Sequence, residues 1–289
     1  IVTSPPYFGL RSYQDGGEHY AGQLGSEATP AEFVDALIAA TREMVRVLKP
    51  SGSIWVNLGD KYASPGGHTG HGASSRLEGR RAVRQQGRPE RRPTGIPTKS
   101  LIGLPWRYAI RCIDDLGLIL RRDQIWLKPN PVPENCTDRC RTDHEYWFHF
   151  TVNGRYFADM DALRSEPTSY TRAGTYERPT PAGQRARALA DAVNPDGRLP
   201  GSVWSIPTQP LKIPEWLGID HWAAFPMEWP RRIIKGWSPA GICTACGEGR
   251  MPVVEAQRTV DGKPIDGLGG RRIGGYQSEA AGIGNWRFG

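Results

Sequence analysis

Near the start of the chain, Thr3-Ser4-Pro5-Pro6-Tyr7 brings a hydroxyl, a prolyl carbonyl and an aromatic ring together on a backbone stiffened by two prolines. Ser4 Oγ and the Pro5 carbonyl are two acceptors in a rigid frame, and Pro5 has no N–H to compete for them. Tyr7 adds a flat face for stacking. Such a set suits an amino group carried on a planar ring. That nitrogen is a poor nucleophile because its lone pair is delocalised into the ring. It can attack an electrophile such as a methyl sulfonium only when both N–H bonds are held while it moves toward tetrahedral geometry.

The surrounding pattern supplies elements to position the motif. Ile1 to Thr3 reads as the end of a buried strand that the prolines stop, so Ser4 to Tyr7 project from its carboxyl edge. Thr29-Pro30-Ala31-Glu32 opens a helix with Thr29 as N-cap, Pro30 at the first position and Glu32 closing a capping box. Phe33, Leu37, Ile38, Met44, Val45 and Leu48 keep helical spacing up to the turn Pro50-Ser51-Gly52. Ser53 to Leu58 is a strand, which predicts a right-handed parallel strand–helix–strand unit. Leu101 to Leu116 reads as a helix closed by Gly117, and Leu118 to Leu127 as a strand. His144 to Thr151 reads as a further strand, with Arg155-Tyr156-Phe157 beginning a hairpin partner. Ala186 to Ala192 could be a short helix, Ser202 to Ile206 has strand character, and Pro226 to Lys235 is a helix carrying Trp229, Ile233 and Ile234. Alternation of this kind argues for a parallel α/β sheet with its ligands outside the carboxyl ends of the strands.

Composition narrows the partners. In 289 residues, 35 Gly and 25 Pro make about a fifth of the chain, so much of it should be loop, while 10 Trp support a real core. No apolar run approaches the roughly 18 residues of a membrane span and no leader is evident, which points to a cytoplasmic protein. Five cysteines, an odd number, suit a reducing compartment. The net charge of +7 is concentrated: between Arg76 and Lys99 there are eight basic residues and two acidic ones. Arg80, Arg81, Arg91 and Arg92 are therefore candidate contacts to a nucleic-acid backbone, on a loop that would otherwise be solvated. Cys243-Thr244-Ala245-Cys246-Gly247 has the form of half a zinc ribbon, which makes Cys243 and Cys246 candidate metal ligands needing a second pair.

Ser4-Pro5-Pro6-Tyr7 resembles the signature of the DNA amino-methyltransferases, Asp/Asn/Ser-Pro-Pro-Tyr/Phe/Trp. Ser53 to Asp60, Trp126 to Glu134, His144-Glu145 and His221-Trp222-Ala223-Ala224-Phe225-Pro226 are similar to further family segments, in the family's order. The resemblance covers most of residues 1–240 and thins across 63–99 and 166–200. It implies a Rossmann-like sheet with helices on both faces, incomplete here, and transfer from S-adenosylmethionine to a base flipped out of double-stranded DNA. It assigns Ser4, Pro5, Pro6 and Tyr7 to catalysis, and Thr3, His221, Ala223, Phe225 and Pro226 to the cofactor. With the catalytic motif first, the chain resembles the permuted subclass, in which a Gly-rich turn of the Asp-Pro-Phe-x-Gly-x-Gly type comes last. None is present in 261–289, so that turn is expected beyond Gly289. In the family, serine at the first position goes mostly with N4 of cytosine and aspartate with N6 of adenine. C5-cytosine chemistry, which uses a Pro-Cys nucleophile, is disfavoured because no cysteine here follows a proline.

The expected organisation is a catalytic core over 1–165 with a mobile basic loop at 63–99, and a target-recognition insert over 166–200. The core then returns over 201–240, followed by a half zinc ribbon and Gly-rich linker over 241–289. A cognate restriction endonuclease is a conceivable partner; a membrane is not. Competing readings are an N6-adenine enzyme, a non-catalytic DNA-binding module, and a methyltransferase of protein glutamine or RNA. The module leaves Ser4 to Tyr7 unexplained. The last class generally places its cofactor motif before the catalytic one.

Overall fold

The computed structural model describes residues 1–9, 14–15, 18–19, 22–63, 95–165, 197–210, 224–247, 249–250, 259–260 and 263–264. Arg80, Arg81, Arg91, Arg92, His221, Ala223 and the expected helix at 186–192 lie outside them. The chain divides into two compact units, Ile1–Gly154 with Ser202–Pro230, and Arg155–Gly201 with Arg231–Gly289.

The first unit runs β1 (Val2–Thr3), β2 (Gln14–Asp15), β3 (Glu18–His19), α1 (Pro30–Val47), β4 (Ser53–Leu58), α2 (Leu104–Leu116), β5 (Ile119–Leu127), β6 (His144–Thr151) and β7 (Val203–Ser205). The division then falls inside α3 (Glu228–Trp237). β2 and β3 form a small antiparallel ribbon. The other five strands form one sheet in the order β1-β4-β6-β5-β7.

β1 and β4 are parallel, with Thr3 opposite Val56, as the intervening helix requires. The sheet as a whole is mixed, which corrects the expectation of parallel strands. β6 pairs antiparallel with both β4 and β5. The cause is local: β5 and β6 are joined by 128–143, which contains three prolines and no helix, so the chain makes no crossover and returns alongside itself. β7 then joins β5 in parallel. With β4 and β5 holding both its edges, β6 cannot take a third partner. Residues 155–157 accordingly form no strand, contrary to expectation.

Strand alternation sorts the two faces. Ile54, Val56 and Leu58 of β4 and Phe148 and Phe150 of β6 pack with Phe33, Val34, Leu37 and Ile38 of α1 and with Leu104, Tyr108, Ala109 and Cys112 of α2. Each Val, Leu, Ile and Phe of this set contributes about 1.5–3 kcal/mol on burial. The two helices are tied by Thr41 Oγ1 and the Tyr108 hydroxyl at 2.8 Å. On the opposite face Trp147 stacks on Trp229 of α3 at 4.8 Å, with Trp204 and Trp126 packed around Trp229. His149 stacks on Trp55 at 4.3 Å there, and burial drives its imidazole down to about 3. Helices thus cover both faces, as expected for this α/β class.

Helix ends explain two boundaries. Thr29 and Glu32 form the capping box read from the sequence. α2 begins at Leu104 instead of Leu101, because 101 bridges to Tyr62 and Gly103 turns the chain at φ +78°. Gly103 has no side chain to cap with, so Asp60 does it from across the fold, accepting from the Gly103 and Leu104 amides at 2.9 and 3.2 Å. The carboxylate also sits at the positive end of the helix dipole. Gly117 closes the helix in the left-handed region at φ +63°.

In the second unit, a 3₁₀ turn, Asp161–Leu163, packs on Gly236, whose missing Cβ would lie 2.6 Å from Leu163 Cδ1. β8 (Thr259–Val260) and β9 (Lys263–Pro264) pair antiparallel. No helix among the described residues is long and apolar enough to cross a membrane.

Candidate active site

β1 ends at Thr3, and the two prolines carry Ser4 to Tyr7 off the sheet edge as the sequence requires. Phe8 anchors the turn, with 2% of its surface exposed and its ring 5.6 Å from Phe33 of α1. Lys61 holds the same segment by donating from Nζ to the Phe8 carbonyl at 2.9 Å. On the other side the Gly9 amide donates to Gly25 O at 2.8 Å. Gly25 sits at φ +91°, and a Cβ there would lie 2.9 Å from the Tyr7 carbonyl oxygen. Phe8 therefore fills the core beneath the turn, and Tyr7 packs against the edge of the same cluster.

The polar groups meet at Asn57, near the carboxyl end of β4. Its Nδ2 donates to the Tyr146 carbonyl of β6 at 3.0 Å, which turns Oδ1 toward the motif. Ser4 Oγ donates to that oxygen at 3.3 Å, and the Tyr7 hydroxyl approaches it at 3.1 Å. With its own proton directed at Asn57, Ser4 Oγ keeps its lone pairs for an incoming N–H donor.

Tyr7 has a stronger partner. Its hydroxyl donates to Glu145 Oε2 of β6 at 2.7 Å, and the other carboxylate oxygen pairs with Lys128 Nζ just past β5. Burial pushes the Tyr7 phenol well above its ordinary range, and the Glu145 charge adds to the rise, so it stays protonated and donates. Close approach is possible because residue 59 is glycine: a Cβ there would lie 2.8 Å from Tyr7 Cε2. Lys128 Nζ also lies 4.5 Å from the centre of the Trp126 ring.

Of the residues singled out in the sequence, Thr3, Ser4, Pro5, Pro6 and Tyr7 form one continuous edge. Phe225 and Pro226 are described, and Phe225 packs edge-on against Trp147 at 5.1 Å. Trp147 is the ladder partner of Asn57, so Phe225 is one residue removed from the group that holds Ser4. Phe225 is half-buried there and Pro226 is buried. Asn57, Gly59, Lys128 and Glu145 were given no role from sequence. The available signal was their place within Ser53 to Asp60, Trp126 to Glu134 and His144-Glu145, the segments already similar to the family's.

The cysteines divide. Cys112 is fully buried in α2 packing, and burial pushes its thiol up to about 12, so it is inert. Cys243 and Cys246 share a turn in which the Cys246 and Ala245 amides lower the Cys243 thiol, with Gly247 in the left-handed region at φ +72°. Among the described residues no group of three or more His, Cys, Asp or Glu is placed to hold a metal, so the zinc expectation gains no support.

The family model N6_N4_Mtase, DNA methylase, matches residues 1–243. The chain belongs to that family. It is 34% identical over 242 residues to the type II methyltransferase M.SmaI of Serratia marcescens, a match covering 83% of this chain and 69% of that one. It is 43% identical over 164 residues to the type II methyltransferase M.XycI of Xanthomonas campestris pv. cyanopsidis, covering 57% of this chain and 51% of that one. The chain thus spans only about half the length of M.XycI. A solved structure of PvuII DNA methyltransferase (cytosine-N4-specific) superposes with a TM-score of 0.48 at 18% identity, covering 83% of this chain and 64% of that one.

Proposed function

We infer that this chain carries the catalytic edge of a DNA methyltransferase acting on the exocyclic N4 of a flipped-out cytosine. The observation that carries the reading is the orientation of Ser4: Asn57 takes its proton, which leaves Oγ as an acceptor beside the Pro5 carbonyl. Two acceptors on one edge can hold both N–H bonds of a base amine while its lone pair turns toward an electrophile. Tyr7, fixed through its phenol, offers its ring to the extruded base. S-adenosylmethionine, when bound, supplies the electrophilic methyl. Phe225 and Pro226 form one wall for it, Thr3 lies at the same sheet edge, and His221 and Ala223 complete that segment. Arg80, Arg81, Arg91 and Arg92 would neutralise phosphates of double-stranded DNA. The names of the type II relatives support a cognate restriction endonuclease as partner.

Ser4→Ala in the full-length protein is expected to lower single-turnover methyl transfer by on the order of 10²–10³ while leaving cofactor affinity within a few-fold. Activity within threefold of wild type would remove Ser4 from the mechanism. Serine at this position favours cytosine, whereas the same pair of acceptors could hold an adenine amine. Nucleoside analysis of the methylated DNA separates the two, and N6-methyladenine as the product would replace cytosine with adenine as the target.

A further inference from the structure

Asn57 Oδ1 lies within reach of two hydroxyls. Ser4 Oγ is 3.3 Å from it and the Tyr7 oxygen 3.1 Å, so by distance alone the phenol is the stronger claimant. The amide cannot turn away, because Asn57 is 2% exposed and its Nδ2 is held by the Tyr146 carbonyl at 3.0 Å. A phenol, however, has one proton to give. Glu145 Oε2 stands 2.7 Å from the Tyr7 oxygen, and a bond to a carboxylate is about twice as strong as one to a neutral amide. The Tyr7 proton therefore goes to Glu145, and Asn57 is left to Ser4. Lys128 Nζ pairs with Oε1 of the same carboxylate, which keeps Oε2 turned to Tyr7. The register of the sheet provides the room. Leu58 pairs with Tyr146, so one step further Glu145 stands opposite Gly59, where a Cβ would lie 2.8 Å from Tyr7 Cε2 and 3.4 Å from Glu145 Cδ.

We propose that Glu145 is a positioning residue for Ser4, acting by holding the Tyr7 hydroxyl proton away from the Asn57 oxygen that orients the serine. This rests on the reading of Ser4 as the amine's acceptor. Without Glu145, the nearest acceptor for the phenol among the described residues is Asn57 Oδ1, closer to it than to Ser4. A phenol O–H is also a stronger donor than an alkyl O–H, being the more acidic of the two. Two donors would then crowd one oxygen, and the longer and weaker bond, from Ser4, gives way. The serine hydroxyl turns, and its proton meets the incoming N–H where a lone pair is needed. Glu145 touches neither the base nor the cofactor and carries no proton to or from the amine. Its effect reaches Ser4 through the oxygen that both hydroxyls face.

The test is a double-variant cycle in the full-length protein, read by single-turnover methyl transfer at saturating DNA and cofactor. Glu145→Ala removes the phenol's acceptor. Its rate should fall by on the order of 10-fold, less than in Ser4→Ala because the serine is misdirected and not removed. KM for DNA and for the cofactor should stay within about threefold. Glu145→Gln keeps an oxygen for Tyr7 and should recover most of the rate. In a Tyr7→Phe background there is no phenol proton to divert, so adding Glu145→Ala should cost less than about threefold. A Glu145 that only stabilised the fold would cost the same in both backgrounds. Glu145→Leu, which fills the vacated space, carries the same comparison if Glu145→Ala does not fold. A Glu145→Ala rate within threefold of wild type, or an equal loss with and without the Tyr7 hydroxyl, overturns the role of Glu145. If either is seen while Ser4→Ala is inactive, only that role fails; an active Ser4→Ala removes the reading beneath it.

Discussion

Two halves of the first unit meet at the motif, and they are built in different ways. Ser4 and Asn57 come from β1 and β4, parallel neighbours joined through α1, and both lie at carboxyl ends of strands. Lys128 and Glu145 come from β5 and β6, antiparallel neighbours joined by a proline-rich connection. Lys128 follows a carboxyl end, while Glu145 lies near an amino end, yet Leu127 and His144 are paired and so both groups reach one edge. The site is therefore defined by a geometric edge of the sheet and not by chain direction. The parallel half presents the acceptor, and the antiparallel half holds the tyrosine.

The sharpest challenge to that division is Asn57→Leu. It removes the oxygen shared by Ser4 and Tyr7 from the parallel half while roughly keeping volume. Methyl transfer should fall by on the order of 10²-fold with little change in cofactor affinity, since a preorganised acceptor loses its alignment. Rates near wild type would show that Ser4 needs no orientation from β4.

Tyr7→Phe probes the antiparallel half. The ring is kept, but Glu145 loses a buried donor, and about 1–3 kcal/mol of stability should go with it, read by chemical denaturation. If Tyr7→Phe is as stable as wild type, the phenol does not join the two halves.

His149 tests the sheet face behind the site through pH. The folded imidazole resists protonation down to about 3, whereas the unfolded one protonates near 6.5. The unfolded state therefore binds the extra proton, and stability is lost as pH falls from about 6.5 toward 3. By about pH 5.5 the loss should be roughly 1 kcal/mol. His149→Phe, which keeps a ring on Trp55, should flatten the fall of Tm with pH in that window. An unchanged slope would assign the acid sensitivity to other groups.

The smallest effect is expected at the α2 terminus. Asp60→Asn keeps one oxygen for the amides but puts an N–H donor where Oδ2 accepted from Gly103, and it loses the charge facing the helix dipole, costing about 1 kcal/mol in thermal unfolding. A larger loss would mean that Asp60 also braces the Lys61–Phe8 anchor, and through it the motif.

Much of the fold is legible in the sequence alone. The β1–α1–β4 unit followed from a capping box, helical spacing and a proline stop, all of them local signals acting within a few residues. Gly117 closed α2 for the same kind of reason. The start of α2 was misjudged by three residues, because its cap is Asp60, 43 residues away from Gly103. The strand expected at 155–157 failed because edge occupancy is a property of the assembled sheet.

Ser4 to Tyr7 identified the chemistry because two prolines and a hydroxyl constrain geometry over a span that the chain itself sets. Which residues stand behind them was decided elsewhere. Asn57 and Glu145 are separated from Tyr7 by 50 and 138 positions, and the antiparallel return of β6 brings them together. Tyr7 read as a stacking ring from its type alone, and its phenol gained a partner only from that register. Local propensity acts over one turn or one strand, whereas hydrogen-bond partners across a sheet depend on strand order and pairing. Both are set by how the whole core packs.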